Sequence, residues 1–216
     1  MQVEDFENKK WRNKNQKMNF RLSAALAMIK GGSVLDLGCG DGLLLSKLRE
    51  RGIAGEGLDI SQIAVKKAKE IGVKAEVFDF SVNKLPFSDK SFENVVLLDV
   101  LEHLYAPFDI LKEAVRVSKQ NIIIAAPNFN SIAARWQMLI GKTPENNQPK
   151  KGHIYWFNLN VLRGLLKQSG LEIIELKTNT IFEHRVLLKN IFQFLLNFFP
   201  NVFALSFVVK ARQIYE

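Results

Sequence analysis

Short apolar runs alternate with segments of helical period along most of this 216-residue chain. The runs fall at 33–37 (SVLDL), 55–60 (GEGLDI), 74–80, 94–100 (NVVLLDV), 121–126 (NIIIAA) and 171–176. Helix-patterned stretches lie among them at 42–51, 63–71, 107–118 and 160–169, the third opening on Pro107 and the last closed by Gly170. NVVLLDV and NIIIAA are almost wholly apolar, as strands covered on both faces require. This alternation predicts an α/β fold built on a doubly wound, mostly parallel sheet. A helical segment at 130–141, a loop-like stretch at 142–152 and a last strand at 202–212 follow. No linker composition interrupts the chain, so the expectation is one domain over 1–216, with a leading helical segment 1–30 and an insertion 128–160 on the ligand side.

Composition excludes several classes. With 47% hydrophobic and 24% charged residues the chain can bury a core and is not a disordered polymer. The single cysteine, Cys39, excludes a disulfide framework or a multi-cysteine zinc site. The polar first residues lack the apolar segment of a signal peptide, which makes a cytoplasmic location the expectation. Residues 190–209 carry no charge, a length that spans a bilayer, but Asn190, Gln193, Asn197, Pro200, Asn201 and Ser206 interrupt it. The expectation is an amphipathic C-terminal helix with Lys189, Asn190, Gln193 and Asn197 in one polar stripe, then a buried strand. The net charge is +8, and Lys9, Lys10, Arg12, Lys14, Lys17 and Arg21 concentrate it near the start. Together with the wide apolar arc of the C-terminal helix, this suggests peripheral contact with an anionic membrane or a homodimer through that helix. No nucleic-acid reader motif accompanies the basic run, so nucleic acid is not an expected partner.

The chemistry-bearing stretch is VLDLGCGDG (34–42). A buried strand ends at Gly38 and a helix begins within four residues, so Gly38, Cys39 and Gly40 form a tight turn that lets a ligand approach the backbone. Asp59 and Ile60 end the second strand, where a carboxylate can accept hydrogen bonds from both ribose hydroxyls of an adenosine. Asp79 and Phe80 end the third strand, and Leu98 and Asp99 the fourth. Carboxylates repeated along one sheet edge imply a polar ligand. Leu43 stands where a dinucleotide site prefers its third glycine, and no G-K-[ST] phosphate loop is present. Asp36 on the leading strand suits a ligand with an ammonium group.

These stretches, VLDLGCGDG, GLDIS and LPFSDKSFENVVLLDVLEHL, together resemble the class I S-adenosylmethionine-dependent methyltransferases over roughly residues 25–180. LDVLEHL, with GHIYWFNLNVLRGLLKQSGL, is similar to the small-molecule branch that includes ubiquinone-biosynthesis O-methyltransferases. AAPNFNSIAARWQMLIGKTPE is similar to MetW proteins. The resemblance implies a seventh strand running in reverse between strands five and six. It implies S-adenosylmethionine as cofactor and S-adenosylhomocysteine as product. Asp36, Gly38 and Gly40 would hold the methionine end, Asp59 the ribose, and Asp79 with Phe80 the adenine, while the backbone near Leu98 and Asp99 would close under the sulfonium.

Methyl transfer to a phenol or alcohol requires a base, and His103, just past the fourth strand, is the candidate. His153, Tyr155, Trp156 and Trp136, with Phe129 and Phe157, would wall a small, possibly lipid-like acceptor. Glu102, His103 and His153 have no metal-ligand spacing, so no metal is expected. The expected activity is methyl transfer, with oxygen favoured as acceptor atom. The alternative is a MetW-like cofactor-binding partner or regulatory protein without robust transfer.

Overall fold

The computed structural model describes residues 3–179, 194–196 and 198–214. Two helices, α1 (Val3–Arg12) and α2 (Phe20–Met28), precede the sheet. There follow β1 (Val34–Leu37), α3 (Leu43–Arg49), β2 (Gly55–Asp59), α4 (Gln62–Glu70), β3 (Lys74–Val77), β4 (Phe92–Leu98), α5 (Pro107–Val117) and β5 (Ser118–Pro127). The last part holds α6 (Ile132–Leu139), α7 (Leu159–Gln168), β6 (Leu171–Asn179) and β7 (Ser206–Gln213). The sheet has seven strands in the order β3-β2-β1-β4-β5-β7-β6. All pairs from β3 to β5 are parallel, and β7 lies antiparallel to both β5 and β6. This is the Rossmann-like methyltransferase arrangement, with its reversed last strand.

The apolar runs are continuous because both faces of the sheet are covered. Successive strand residues point to opposite sides. Val95, Ile122, Ile124 and Val209 join a core with Ile110, Leu111 and Ala114 of α5 and Leu162 and Leu166 of α7. Val96, Ile123, Ala125 and Val208 join the opposite core, with α2, α3 and α4. In α5 the buried positions 110, 111, 114 and 117 recur at helical spacing, and Pro107 sits in its first turn. Leu111 is fully buried, so Leu111→Ala would cost about 2–5 kcal/mol. Side-chain caps start α4 and α7: Ala64 N–H donates to Ser61 Oγ, and Asn160 and Val161 N–H donate to Asn158 Oδ1.

Several boundaries depart from the sequence reading. The third strand ends at Val77, not 80; Phe78 N–H makes a last bond to Asp59 O, and Asp79 and Phe80 lie in the loop beyond. The last strand begins at Ser206, because Pro200–Phe203 forms a helical turn. Asn128 fixes that turn by donating to Asn201 O and Ala204 O. The leading segment 1–30 is two helices joined by an extended stretch, and the insertion 128–160 holds α6 and two 3-10 turns. Most of the expected C-terminal helix, including Lys189, Asn190, Gln193 and Asn197, lies outside the described residues.

Candidate functional site

The chain winds outward from β1 to β3, then crosses to β4 on the other side of β1. Such a reversal opens a crevice at the carboxyl ends of the strands. A cavity of about 420 Å³ lies there. Gly38, Asp59, Ile60, Asp99 and Val100 line its floor and Phe78, Asp79 and Phe80 one end. Gly38 has φ +78°, and a Cβ on it would come within 2.5 Å of Val100 Cγ2, so the turn needs glycine.

Asp59 is nearly buried and accepts from Gly40 N–H (2.8 Å) and Ser61 N–H (2.9 Å). These bonds lock the carboxylate against the glycine turn and leave each oxygen one further lone pair. Burial raises its pKa, and the two backbone bonds oppose that rise. Asp79 Oδ1 accepts from the backbone N–H and the hydroxyl of Ser81, which closes the loop beside Phe80. Asp99 has φ +57°, lines the cavity and ion-pairs with Arg21. Asp36, Cys39, Gly40 and Leu98 are not among the cavity-lining residues. Asp36 sits inside β1, where burial pushes its carboxyl up to about 7.

Helix α1 roofs the cavity through Val3, Phe6, Glu7 and Lys10, a role that the sequence reading missed. Ser61 Oγ–H and Ile63 N–H donate to Asn8 Oδ1, which fastens α1 to the start of α4. Lys67 Nζ donates to Trp11 O, Lys14 O and Asn15 Oδ1, and Gln16 N–H to Asp41 Oδ2. The Trp11 ring is buried over Gly40, where a Cβ would come within 2.6 Å of it. The basic run is therefore partly engaged: Lys10 pairs with Glu7, and Lys14 lies over the Trp11 ring. The signal was present in Trp11 within a helix acidic at its start and basic at its end.

Beyond β4 the insertion folds back onto the site. Ile154 and Tyr155 N–H both donate to Glu102 O, which sets His153 beside Glu102 and His103. Their donor atoms lie within 4.8 Å of one another. His103 Nδ1 donates to Gly152 O (3.0 Å) and His153 Nδ1 to Asn146 O (2.8 Å), so each ring presents an unprotonated Nε2. Burial lowers both imidazole pKa values and keeps the rings neutral. Glu102 is fully buried with neither carboxylate oxygen hydrogen-bonded, and burial raises it to about 8. His153 Nε2 is 3.9 Å from Glu102 Oε1, too far for a hydrogen bond. Two imidazoles oriented by backbone carbonyls and one carboxyl, which a cation would bind by displacing its proton, form a donor set suited to a first-row divalent cation. Ligand atoms around such an ion sit roughly 3.3 Å apart, so binding would draw the three side chains inward by less than about 1 Å each. Sequence spacing gave no hint of this group, because a backbone pairing about fifty residues downstream assembles it.

The expected aromatic wall does not form: none of Phe129, Trp136, His153, Tyr155, Trp156 and Phe157 lines either cavity. Phe157 is buried with Tyr155 tilted against it, and Trp136 and Trp156 are 63% and 60% exposed. A second cavity of about 370 Å³ opens at the carboxyl ends of β5 and β6. Its lining is mainly polar, including Asn19, Arg21, Ser131, Gln137, Asn146 and Asn179, unlike the apolar wall expected. Arg21 borders this cavity while its partner Asp99 borders the first.

A family profile described as methionine biosynthesis protein MetW matches residues 19–204. A ubiquinone biosynthesis O-methyltransferase of Alkalilimnicola ehrlichii is 30% identical over 116 residues, covering 50% of this chain and 47% of that protein. The 27-O-demethylrifamycin SV methyltransferase of Amycolatopsis mediterranei is 26% identical over 159 residues, 70% of this chain and 58% of that protein. The chain thus spans about half the length of these curated relatives. The crystal structure of magnesium protoporphyrin IX methyltransferase from Synechocystis, with S-adenosylhomocysteine bound, superposes with a TM-score of 0.70 at 18% identity over 98% of both chains.

Proposed function

Since the chain belongs to the MetW family, we propose that it is an S-adenosylmethionine-dependent methyltransferase acting on a small acceptor, with oxygen as the acceptor atom. The observation that carries this reading is Asp59, locked against the Gly38–Gly40 turn inside a 420 Å³ cavity. Its free lone pairs suit the two ribose hydroxyls, Phe80 and Asp79 suit the adenine, and the cavity leads from them past Gly38 to Asp99. Asp99, which lines the same cavity and is held by Arg21, suits the methionine ammonium. The curated relatives that transfer methyl groups to oxygen support the choice of acceptor atom.

S-adenosylmethionine supplies a methyl group already activated on a sulfonium, so the protein's work is placement and proton removal. His103 lines the cavity, and in the metal-free protein its neutral Nε2 is the atom available to take the hydroxyl proton of the acceptor as its oxygen is methylated. Gly152 O holds the ring and stabilises the imidazolium that forms. That oriented base favours an enzyme over a partner protein without transfer activity.

Titration calorimetry tests the reading. S-adenosylhomocysteine should bind the wild-type protein, and Asp59→Ala should weaken binding by about 1.5–3 kcal/mol. No binding, or tighter binding of a nicotinamide dinucleotide, would overturn it.

A further inference from the structure

Helix α6 faces the wrong way for a helix that only covers a core. A surface helix normally turns its apolar stripe inward. In α6 only Ala134 is buried. Ile132, Trp136, Leu139 and the following Ile140 share one stripe at helical spacing, and all are exposed, Leu139 at 79%. More apolar surface lies at the same sheet edge. α6 leaves the carboxyl end of β5, and the exposed Phe198 and Phe199 precede β7, whose Ser206 pairs with Pro127. The two Asn128 bonds tie these segments together.

The charge along this stretch is net positive. Residues 129–144 contain Arg135 and Lys142 and no acid. The next acid, Glu145, is already paired with Lys151. A second copy docking face to face would bring two positively charged patches together. An anionic lipid surface instead accepts both features: a tryptophan-bearing apolar stripe at the acyl boundary and basic side chains among the headgroups. No described helix is long and apolar enough to cross a membrane, so the contact is with one leaflet.

We propose that α6 is an interfacial anchor by which the protein lies on an anionic bilayer, with Trp136 and Leu139 inserted and Arg135 and Lys142 at the headgroups. Ala133, Ala134 and Gln137 of the same helix line the 370 Å³ cavity, so the anchor sets that cavity beside the lipid surface. This inference goes beyond the methyl-transfer reading and is read out without any activity.

The test is co-sedimentation of the full chain with phosphatidylcholine vesicles, with and without one-third phosphatidylglycerol. The wild type should partition into the anionic vesicles at low salt and leave them at high salt. Trp136→Ser with Leu139→Ser should abolish partitioning. Arg135→Gln with Lys142→Gln should lower it about 25-fold, from about fivefold for each basic residue. S-adenosylhomocysteine binding, measured on the same samples, shows that the variants remain folded. In wild type, Trp136 emission should shift to the blue on vesicle addition, against a Trp136→Phe control. Absence of partitioning at low salt, equal binding to neutral vesicles, or a dimer in light scattering that Leu139→Ser dissolves would overturn the proposal.

Discussion

Trp11→Ala should release the roof of the cavity without unfolding the sheet. A tryptophan buries about 150–250 Å². At about 25 cal/mol per Å² that is roughly 4–6 kcal/mol, an upper bound because the unfolded chain already hides some of this surface. The other fastenings of α1 and the stretch after it include the Glu4, Asn8, Lys67 and Gln16 hydrogen bonds, part-buried or exposed. Each contributes about 1 kcal/mol and also needs the strap ordered. Removing the ring therefore takes away the largest single contribution holding α1 down. The core clusters on both sheet faces contain no residue of α1, so opening should stay local. Trypsin is the direct assay, since Lys9, Lys10, Arg12, Lys14 and Lys17 lie on or just after α1. Cleavage there should accelerate about 100-fold, the factor for about 3 kcal/mol of lost local stability, while the thermal midpoint of the sheet moves little. Wild-type protease resistance would show that Trp11 is not the anchor. Unfolding of the whole chain in one step would show that α1 belongs to the core rather than lying over it.

Asp36→Asn should flatten the acid side of the stability profile. The native carboxyl titrates at about 7, above its usual range, so the folded state binds its proton more tightly than the unfolded one. That stabilisation is complete below about pH 4, is lost as pH rises toward 7, and amounts to up to about 4 kcal/mol. Urea unfolding of wild type and variant at pH 4.5, 6 and 7.5 should show the wild type alone declining for this reason; parallel curves would refute it. Manganese or zinc should bind once per chain by calorimetry, and Glu102→Gln or His153→Ala should abolish binding; unchanged affinity in both variants would place any ion elsewhere. His103→Ala should lower turnover by about 10²–10⁴-fold with S-adenosylhomocysteine affinity nearly unchanged, and unaltered turnover on a hydroxyl acceptor would remove the base role.

The parallel sheet was readable because NVVLLDV and NIIIAA are apolar on both faces, and period-two alternation then dictates which residue meets which helix layer. The floor of the cavity was readable because Gly38, Asp59 and Asp99 sit at strand ends, whose placement follows from topology. What escaped depends on contacts distant in sequence. Trp11 reaches Gly40 only after the chain doubles back through an extended stretch, and no local pattern records that return. His153 reaches Glu102 because backbone amides of the insertion pair with one carbonyl, an interaction blind to side-chain identity. Trp136 was misplaced for the opposite reason: an aromatic in a helix normally faces a core, and this one faces solvent.

The position of β7 has a consequence for the order in which this chain is made. In the sheet, β5 is flanked by β4 and by β7, and β6 pairs with β7 alone. While the ribosome is still adding residues 128–205, the far side of β5 has no partner. At about 5–20 residues per second this lasts roughly 4–16 s. During that time Ile122, Ile123 and Ile124 stand on an open edge of a half-built sheet, the kind of strand that recruits another chain. Yield in the cell should then depend less on final stability than on how quickly residues 206–213 follow. Slow codons placed after β5 should favour aggregation, while the same codons placed after β7 should not.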